Sequence, residues 1–222
     1  MNGDAKSGQG ATVNEAEITL GVLNAVEQSS AVTQRSLAVD LDIALGLANA
    51  YLKRCAKKGF IKIQQVPRNR YAYYLTPTGF AEKSRLTAEY LSQSFNFFRS
   101  ARNHCTEIME QCAERGWTRV ALAGVGDLAE IATLCALETE VLLVGVIEPN
   151  GHSQVEFAGL RVERTPEALG PLDVILITDM RAPQEMFDTL SKDFDASRLL
   201  APRFLHVSRV RPAFLGGEDG PC

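Results

Sequence analysis

The sequence is poor in the residues that build metal sites and disulfide frameworks. Its five cysteines are an odd number, no two of them form a Cys-x-x-Cys pair, and there are only three histidines. Zinc modules and small secreted folds need paired, closely spaced ligands, so this spacing argues against both classes. Unpaired cysteines are typical of a reducing compartment, and we expect a cytoplasmic protein without a metal site.

Long apolar runs are also missing. Residues 1–13 are rich in glycine and polar side chains, and we expect a flexible leader there, neither a signal peptide nor a membrane anchor. With 222 residues, 45% of them hydrophobic, and a net charge of −4, the composition fits a globular protein with two modest cores. We expect two domains, a flexible tail at 211–222 and no membrane partner.

Acidic residues are scarce in one window of this acidic chain. Residues 51–85 contain nine Lys and Arg against the single acid Glu82, a local net charge of +8. Clustered cations neutralise phosphates, so the window predicts the surface that meets double-stranded DNA. A solvated helix face beside a charged hairpin is the alternative interpretation.

Residues 33–58 predict two short helices joined by a turn. Thr33 is the candidate N-cap of the first helix, which continues to Asp40, and the second runs from about Ala44 to Lys58. Helical spacing turns apolar residues inward, on the second helix Leu45 or Leu47, Ala48, Leu52 and Ala56. The candidate DNA contacts on the two helices are Thr33, Gln34, Arg35, Asn49, Lys53, Arg54 and Lys57.

A basic hairpin follows the second helix. Gly59 ends that helix, and two segments of alternating character, 60–63 and 71–75, predict paired strands. The tip between them contributes three further candidate DNA contacts, Arg68, Asn69 and Arg70. With a helix predicted at 15–27, these elements form a winged helix-turn-helix over residues 14–76. Its second helix can enter a major groove while the hairpin reaches the flanking backbone.

Four segments resemble the small MarR-type regulators associated with exopolysaccharide gene clusters. They are TQRSLA at 33–38, IALGLAN at 43–49, KGFIK at 58–62 and YYLTPTG at 73–79, and the resemblance covers roughly residues 15–110. It implies a DNA-binding transcription regulator that controls surface polysaccharide genes. Ala44 and Leu47 depart from the family, where a serine cap and a lysine are common, so the better candidate contacts are Asn49, Lys53 and the wing arginines.

A single long helix is predicted at 77–115. Pro77 stands at an early position, where its missing N–H costs nothing. A solitary helix cannot bury its broad apolar stripe, so we expect a homodimer through this helix; packing of the stripe against the chain's own C-terminal domain is the alternative. The stripe consists of Leu86, Tyr90, Leu91, Phe95, Phe98, Ile108, Met109 and Cys112.

Two cysteines of this helix, Cys105 and Cys112, are seven residues apart and share one helix face. A dimer could bring two such pairs together as an oxidation switch or as thiolate ligands of a cluster. The alternative is that both are small residues filling a core.

The second predicted domain, 117–210, opens with a pattern typical of nucleotide-binding folds. It is a strand, a glycine turn, a helix and a second strand that ends in an acidic residue. Gly124 permits a tight turn, Gly126 lets backbone N–H groups approach a phosphate, and Glu148 can accept hydrogen bonds from ribose hydroxyls. Parallel strands bring their carboxyl ends to one crevice, which collects the candidate ligand-binding residues. These are Gly124, Gly126, Asp127, Leu128, Glu148, Thr178 and Asp179.

Later segments agree with an open parallel sheet. We expect a small hairpin at 157–162, a buried strand at 173–178, a helix at 184–190 and a last strand at 204–207. The predicted fold is therefore an α+β winged helix domain, a long linking helix and an α/β Rossmann-like parallel sheet domain. A glycine turn used only for helix-sheet packing is the alternative to a ligand site.

The segment from about 119 to 180 resembles the Rossmann-like halves of sugar-modifying enzymes and nucleotide-sugar acyltransferases, and the two-domain plan is similar to the redox-sensing repressor Rex. These resemblances imply a nucleotide-type ligand, either NAD(H) or a nucleotide sugar. Glu148 disfavours a 2′-phosphate and hence NADP. We find no convincing catalytic set, and expect a regulator rather than an enzyme. A nucleotide-sugar-related enzyme, or a transcription factor whose Rossmann domain binds a partner protein, are the alternatives.

Overall fold

The computed structural model describes residues 8–67, 70–149, 151 and 155–209 of the chain. The chain divides into two compact units, residues 1–95 and 96–222, each with its own hydrophobic core. The division falls inside the long helix, which contributes its first half to one unit and its second half to the other. The predicted tail at 211–222 lies outside the described residues.

The first unit contains three helices, a two-stranded antiparallel sheet and the first half of the long helix. α1 begins within the segment for which the sequence predicts a leader. The order of elements is that of a winged helix, as predicted. The bounds are α1 (Gly8–Gln28), α2 (Gln34–Asp40), α3 (Leu45–Lys57), β1 (Ile61–Val66), β2 (Arg70–Leu75) and α4 (Pro77–Glu114).

Hydrogen bonds at the helix starts follow the local sequence. Thr33 Oγ1 accepts the N–H of Ser36 at 3.0 Å, and Ser36 Oγ accepts the N–H of Thr33 at 3.0 Å, which confirms Thr33 as the N-cap of α2. This reciprocal pair satisfies two backbone donors at the helix start. At the start of α3, Ala44 has no side-chain acceptor, and no side-chain hydrogen bond caps that helix.

The buried face of α3 differs from the prediction. Leu45 and Leu47 are 49% and 41% exposed, whereas Tyr51 and Cys55 are buried beside the correctly predicted Ala48 and Leu52. Buried positions 48, 51, 52 and 55 follow helical spacing, which leaves Leu47 at the flank of the buried face, about a quarter turn from its centre. Leu45 lies in the first turn, at the edge of the core. Apolar type alone was therefore a misleading guide, because a tyrosine and a cysteine occupy the inner positions.

The start of α4 is fixed against the turn that follows α3. Thr76 Oγ1 accepts the N–H of Gly79 at 3.0 Å and donates to the carbonyls of Gly59 and Phe60, at 2.5 and 3.1 Å. A Cβ added to Gly79 would lie 1.9 Å from the Phe60 carbonyl oxygen, so only glycine allows this approach.

The apolar stripe of α4 is divided into three parts. Leu86 is buried in the first core, and Met109 and Cys112 are buried in the second. Residues 88–100 between them are all exposed, so the chain's own cores cover only the two ends of the stripe. Within the described part of the chain, no helix is both long and apolar enough to cross a membrane.

The second unit is built around a six-stranded sheet in the order β5-β6-β4-β3-β7-β8, in which only β5 is antiparallel to its neighbour. In chain order, the five parallel strands have the spatial order 3-2-1-4-5, the arrangement of a Rossmann-like α/β fold. The bounds are β3 (Arg119–Ala123), α5 (Asp127–Ala136), β4 (Leu142–Ile147), β5 (Glu156–Phe157), β6 (Leu160–Glu163), β7 (Val174–Ile177), α6 (Pro183–Leu190) and β8 (Leu199–Leu200).

Two predictions for this sheet need correction. Among the described residues the last strand is β8, and the segment predicted as a strand at 204–207 instead begins inside a 3-10 turn at Arg203–Leu205. Pro202 precedes this turn, and His206 ends it in a left-handed conformation, neither of which suits a strand in a sheet. The predicted hairpin is confirmed as β5 and β6, but β6 also pairs in parallel with β4 and so extends the main sheet.

Candidate nucleic-acid interface and ligand site

The outer face of α3 carries the cations that the sequence predicts for DNA contact. Lys53 and Lys57 are exposed and lie four residues apart, so their side chains project from adjacent turns of the same face. Asn49 is half-buried, one turn before Lys53. An exposed helix of 13 residues with two free-standing lysines can enter a major groove and reach phosphates at its edges.

Not all of the basic window is available to DNA. Of the seven cations in it whose side chains the structure describes, three form ion pairs with acids of the same unit. The guanidinium of Arg54 also lies 5.3 Å above the Tyr51 ring, so this predicted DNA contact is engaged by its own domain. The pairs are Arg54 with Glu15 at 2.6 Å, Lys83 with Glu27, and Arg85 with Glu82 and Glu89 at 2.9 and 2.8 Å.

A groove of about 940 Å³ separates the start of α2 from the wing formed by β1 and β2. Predicted contacts Gln34 and Arg35 are exposed on its α2 side, together with the capping residue Thr33. Tyr71 and Tyr74 are exposed on its wing side, and the sequence analysis did not anticipate them. The sequence feature that could have indicated them is the cluster of tyrosines in a predicted strand beside basic residues. Arg68, Asn69 and the Arg70 side chain lie outside the described residues.

The predicted ligand-binding residues of the second unit lie at the carboxyl ends of β3, β4 and β7 and in the turns that follow them. Gly124 has φ +101°, and a Cβ added to it would lie 2.6 to 2.7 Å from the Cβ, Cα and N of Asp179. The N–H groups of Thr178 and Asp179 both donate to the Ala123 carbonyl, at 2.8 and 2.9 Å. Gly124 is therefore required for the close approach of two strand ends.

Thr178 and Asp179 serve this packing with their side chains as well. The buried Thr178 hydroxyl donates to the Ala123 and Gly124 carbonyls at 3.0 and 2.6 Å. Asp179 Oδ1 accepts the N–H of Arg181 at 2.7 Å. Both residues lie at the predicted crevice, but these contacts hold the loops that form it.

The turn between β3 and α5 presents its backbone to solvent. Gly126 has φ +144°, and a Cβ added there would meet nothing within 4 Å, so the turn is open to an approaching group. Leu128 is fully buried, which leaves only its backbone N–H as a contact. Asp127 and Glu130 place two carboxylates in the first turn of α5. They stabilise the helix dipole and lower its attraction for a phosphate.

Glu148 is the carboxylate that the fold places at this crevice. It follows β4 directly, is only 8% exposed, and its Oε2 lies 3.4 Å from the N–H of Val125. Its own backbone N–H donates to the Glu163 carbonyl at 2.8 Å, which extends the ladder between β4 and β6. A buried carboxylate at a strand end, oriented by a weak backbone contact, retains acceptor capacity for hydroxyl groups.

A pocket of about 380 Å³ adjoins Glu148 and extends to the end of β6. Val155, Val162 and Ala168 give it apolar walls, and Arg164 contributes a cation. Arg164 is not among the predicted site residues, because an isolated hairpin at 157–162 gives it no position at this edge of the sheet. Pairing of β6 with β4 brings the residue after β6 to the same edge of the sheet as Glu148.

Comparisons with known proteins bear mainly on the first unit. Residues 15–62 match the family described as winged helix-turn-helix DNA-binding. Among solved structures, the chain is similar to MepR, a transcription regulator of the Staphylococcus aureus multidrug efflux pump MepA, with 24% identity over 38% of this chain and 62% of that chain and a TM-score of 0.33. It is also similar to PigF with SAH, with 11% identity over 86% of this chain and 56% of that chain and a TM-score of 0.23.

The chain thus spans less than two thirds of the length of either of these structures. No curated protein matches the sequence. The matched segment begins in α1, includes α2 and α3, and ends in β1, the elements that carry the exposed lysines and the capped helix start. The N-terminal part of this chain is a winged helix-turn-helix DNA-binding domain.

Proposed function

We propose that the protein is a transcription regulator that binds double-stranded DNA as a homodimer and responds to a nucleotide-type metabolite. The winged helix domain supports the DNA-binding part. The observation that supports a bound metabolite is the position of Glu148. This buried carboxylate lies at the carboxyl end of a parallel strand, beside an open glycine turn and a pocket. A ligand that binds one functional state better than another shifts the protein toward that state and so changes DNA affinity.

The chemistry around Glu148 favours a ligand with a free ribose diol. A carboxylate accepts two hydroxyl hydrogen bonds, and burial strengthens them because water competes less. The pocket beside it has the volume of a small-ligand site, with apolar walls for a base. NAD(H) and nucleotide sugars both carry such a diol. A 2′-phosphate would meet the carboxylate as a like charge, so NADP is disfavoured.

The resemblance to regulators of exopolysaccharide clusters leads us to propose surface polysaccharide genes as targets. A nucleotide sugar as effector would then report the supply of precursor for the regulated pathway. Sequencing of the DNA that co-purifies with the protein from cells tests this assignment, and enrichment of unrelated genes would contradict it.

Glu148→Gln is expected to abolish nucleotide binding, because the amide replaces one acceptor with a donor and removes the charge. The unmodified protein is screened by thermal shift against NADH, NAD, NADP and UDP-, GDP- and CMP-sugars. Bound ligand at about 100 times Kd stabilises the folded state by about 2.7 kcal/mol, a readily measured rise in Tm. The variant should show no rise with the compound that shifts the unmodified protein.

Glu156→Gln is the matched control, since Glu156 is an exposed carboxylate on β5 outside the pocket. It should leave the ligand shift unchanged. If no compound shifts the unmodified protein, the ligand proposal fails, and a crevice that binds a partner protein becomes the better explanation. Equal loss of binding in both variants would contradict the role given to Glu148.

The exposed middle of α4 supports the homodimer. Leu91, Phe95 and Phe98 follow i, i+4, i+7 spacing and are 46%, 61% and 39% exposed, so they form one apolar strip. Two copies of a strip on one helix can pair about a two-fold axis, each covering the other. An exposed strip of this kind would otherwise favour nonspecific association.

Leu91→Glu with Phe98→Glu is expected to convert the dimer to monomer, since two buried carboxylates per chain would face the same pair across the axis. Sedimentation velocity at micromolar concentration measures the change. The control is Ser92→Glu with Asn96→Glu, which adds the same charge to the exposed polar side of the helix. A monomeric unmodified protein, or a control that dissociates equally, would contradict assembly through this strip.

A further inference from the structure

Two buried cysteines from different helices lie in the same core cluster of the second unit. Cys105 lies in α4 and Cys135 in the last turn of α5, and both side chains are fully buried in one cluster. The two thiols are close enough for each to shift the pKa of the other. The Cys135 thiol lies 3.6 Å from the carbonyl oxygen of Arg102, one turn before Cys105. The 30-residue separation in sequence hid this pair from the sequence analysis.

The expected partner, Cys112, does not take part. It lies seven residues from Cys105 on the same helix, a rise of about 10 Å, which is beyond the reach of a disulfide. Cys105 and Cys112 are 0% and 1% exposed in their own unit's core, so a second copy cannot meet them at an outer face of the helix. Their burial agrees with the alternative interpretation, in which both are small residues filling a core.

The environments of the two sulfurs differ. Hydrogen bonds from the Cys105 thiol and from Thr106, aided by the charge of Arg102, lower the pKa of Cys135. The same thiol-thiol hydrogen bond and burial raise the pKa of Cys105. By contrast, burial raises the pKa of Cys112 to about 11. The more readily ionised sulfur is thus adjacent to a thiol that can resolve an oxidised intermediate.

An ion pair at the surface lies close to Cys135. Arg102 of α4 and Glu138, three residues after Cys135, meet at 2.6 Å, and their side chains are 45% and 55% exposed. Exposed ion pairs of long side chains contribute little to stability and open easily. Because both thiols are fully buried, a small oxidant reaches them only when the structure opens locally, and an exposed ion pair offers little resistance to such opening.

We propose that Cys105 and Cys135 form an oxidative modification site, at which a peroxide converts the two thiols into a disulfide between α4 and α5. The Cys135 thiolate attacks one peroxide oxygen, the O–O bond breaks, and a sulfenic acid and water form. The Cys105 sulfur then attacks the sulfenic sulfur, and the S–O bond breaks with release of a second water. Two thiol protons and two electrons pass to the peroxide, which is fully reduced.

The test is a disulfide map of the full-length protein after brief treatment with hydrogen peroxide and blocking of the remaining thiols. A peptidase that cleaves after glutamate separates Cys105 from Cys112 by cutting at Glu107 and Glu110. We expect one linked peptide pair, Cys105 with Cys135, and two of the five cysteines lost to alkylation. A link that involves Cys112 or the terminal Cys222, or no link at all, would overturn the proposal.

Variants give an independent measurement. Cys135→Ala should form no internal disulfide after peroxide treatment. Its remaining cysteines should stay unlinked. Cys112→Ala removes an equally buried cysteine of the same helix and should still form the Cys105–Cys135 link. The map of the unmodified protein remains decisive if a variant does not fold, and loss of the link in Cys112→Ala with a folded protein would count against the assignment.

Discussion

Gly124→Ala is expected to destabilise the second unit by about 2–5 kcal/mol, the sum of a left-handed conformation and of overpacking against backbone. The added Cβ would lie 2.6 to 2.7 Å from atoms of Asp179, and hydrogen bonds to the Ala123 carbonyl hold that strand end in place. A domain of ordinary stability loses much of its reserve in this way. Urea unfolding measures the effect, because the single tryptophan, Trp117, packs against the core of the second unit.

Gly126→Ala is the matched control. This residue also has a positive φ, but a Cβ would meet no atom within 4 Å, so only the conformational cost of about 1–2 kcal/mol applies. The two variants make the same chemical change at glycines two residues apart. Equal losses of stability would show that backbone conformation, and not the contact with Asp179, decides the role of Gly124.

Lys53→Ala with Lys57→Ala is expected to weaken DNA binding at least tenfold and to lower the slope of log K against log salt by about 2. Each lysine lost from the outer face of α3 removes about one neutralised phosphate and the counterion released with it. A charge-assisted hydrogen bond contributes about 1.5 kcal/mol or more, which supports the size of the effect. Fluorescence anisotropy with a labelled duplex over a range of salt concentrations gives both quantities.

Lys83→Ala with Arg85→Ala removes the same charge from the same basic window, but these two side chains are paired with acids of their own unit. This control should change the salt slope by much less than the α3 variant. Both double variants could instead show the same loss of affinity and the same decrease in salt slope. General electrostatic attraction would then account for DNA binding, and α3 would not be the contact surface.

Local patterns predicted the elements well because each depends on residues near in sequence. The cap at Thr33, the proline-led start of α4 and the glycine turn after β3 are of this kind. Pairings between distant residues were not predictable from periodicity. The Arg54–Glu15 ion pair joins residues 39 positions apart, and the contact of Cys105 with Cys135 depends on how α5 packs.

The errors have a common physical origin. On α3, core packing selected Tyr51 and Cys55 over two leucines, since tertiary contacts outweigh residue type at the edge of a small core. In the sheet, short strands such as β6 and β8 carry too few residues for a recognisable alternation. Arg164 was missed as a candidate site residue for the same reason, because its position follows from the pairing of β6.

The joint between Thr76, Gly79 and the turn at Gly59–Phe60 has a mechanical consequence. Three hydrogen bonds and a contact that admits only glycine leave no pivot between the end of the wing and the first turn of α4. A displacement of α4 is therefore transmitted directly to the turn at the C-terminal end of α3. Under the proposed function, a ligand response would reach the winged helix domain through a displacement of α4, and the contacts at this joint would transmit it.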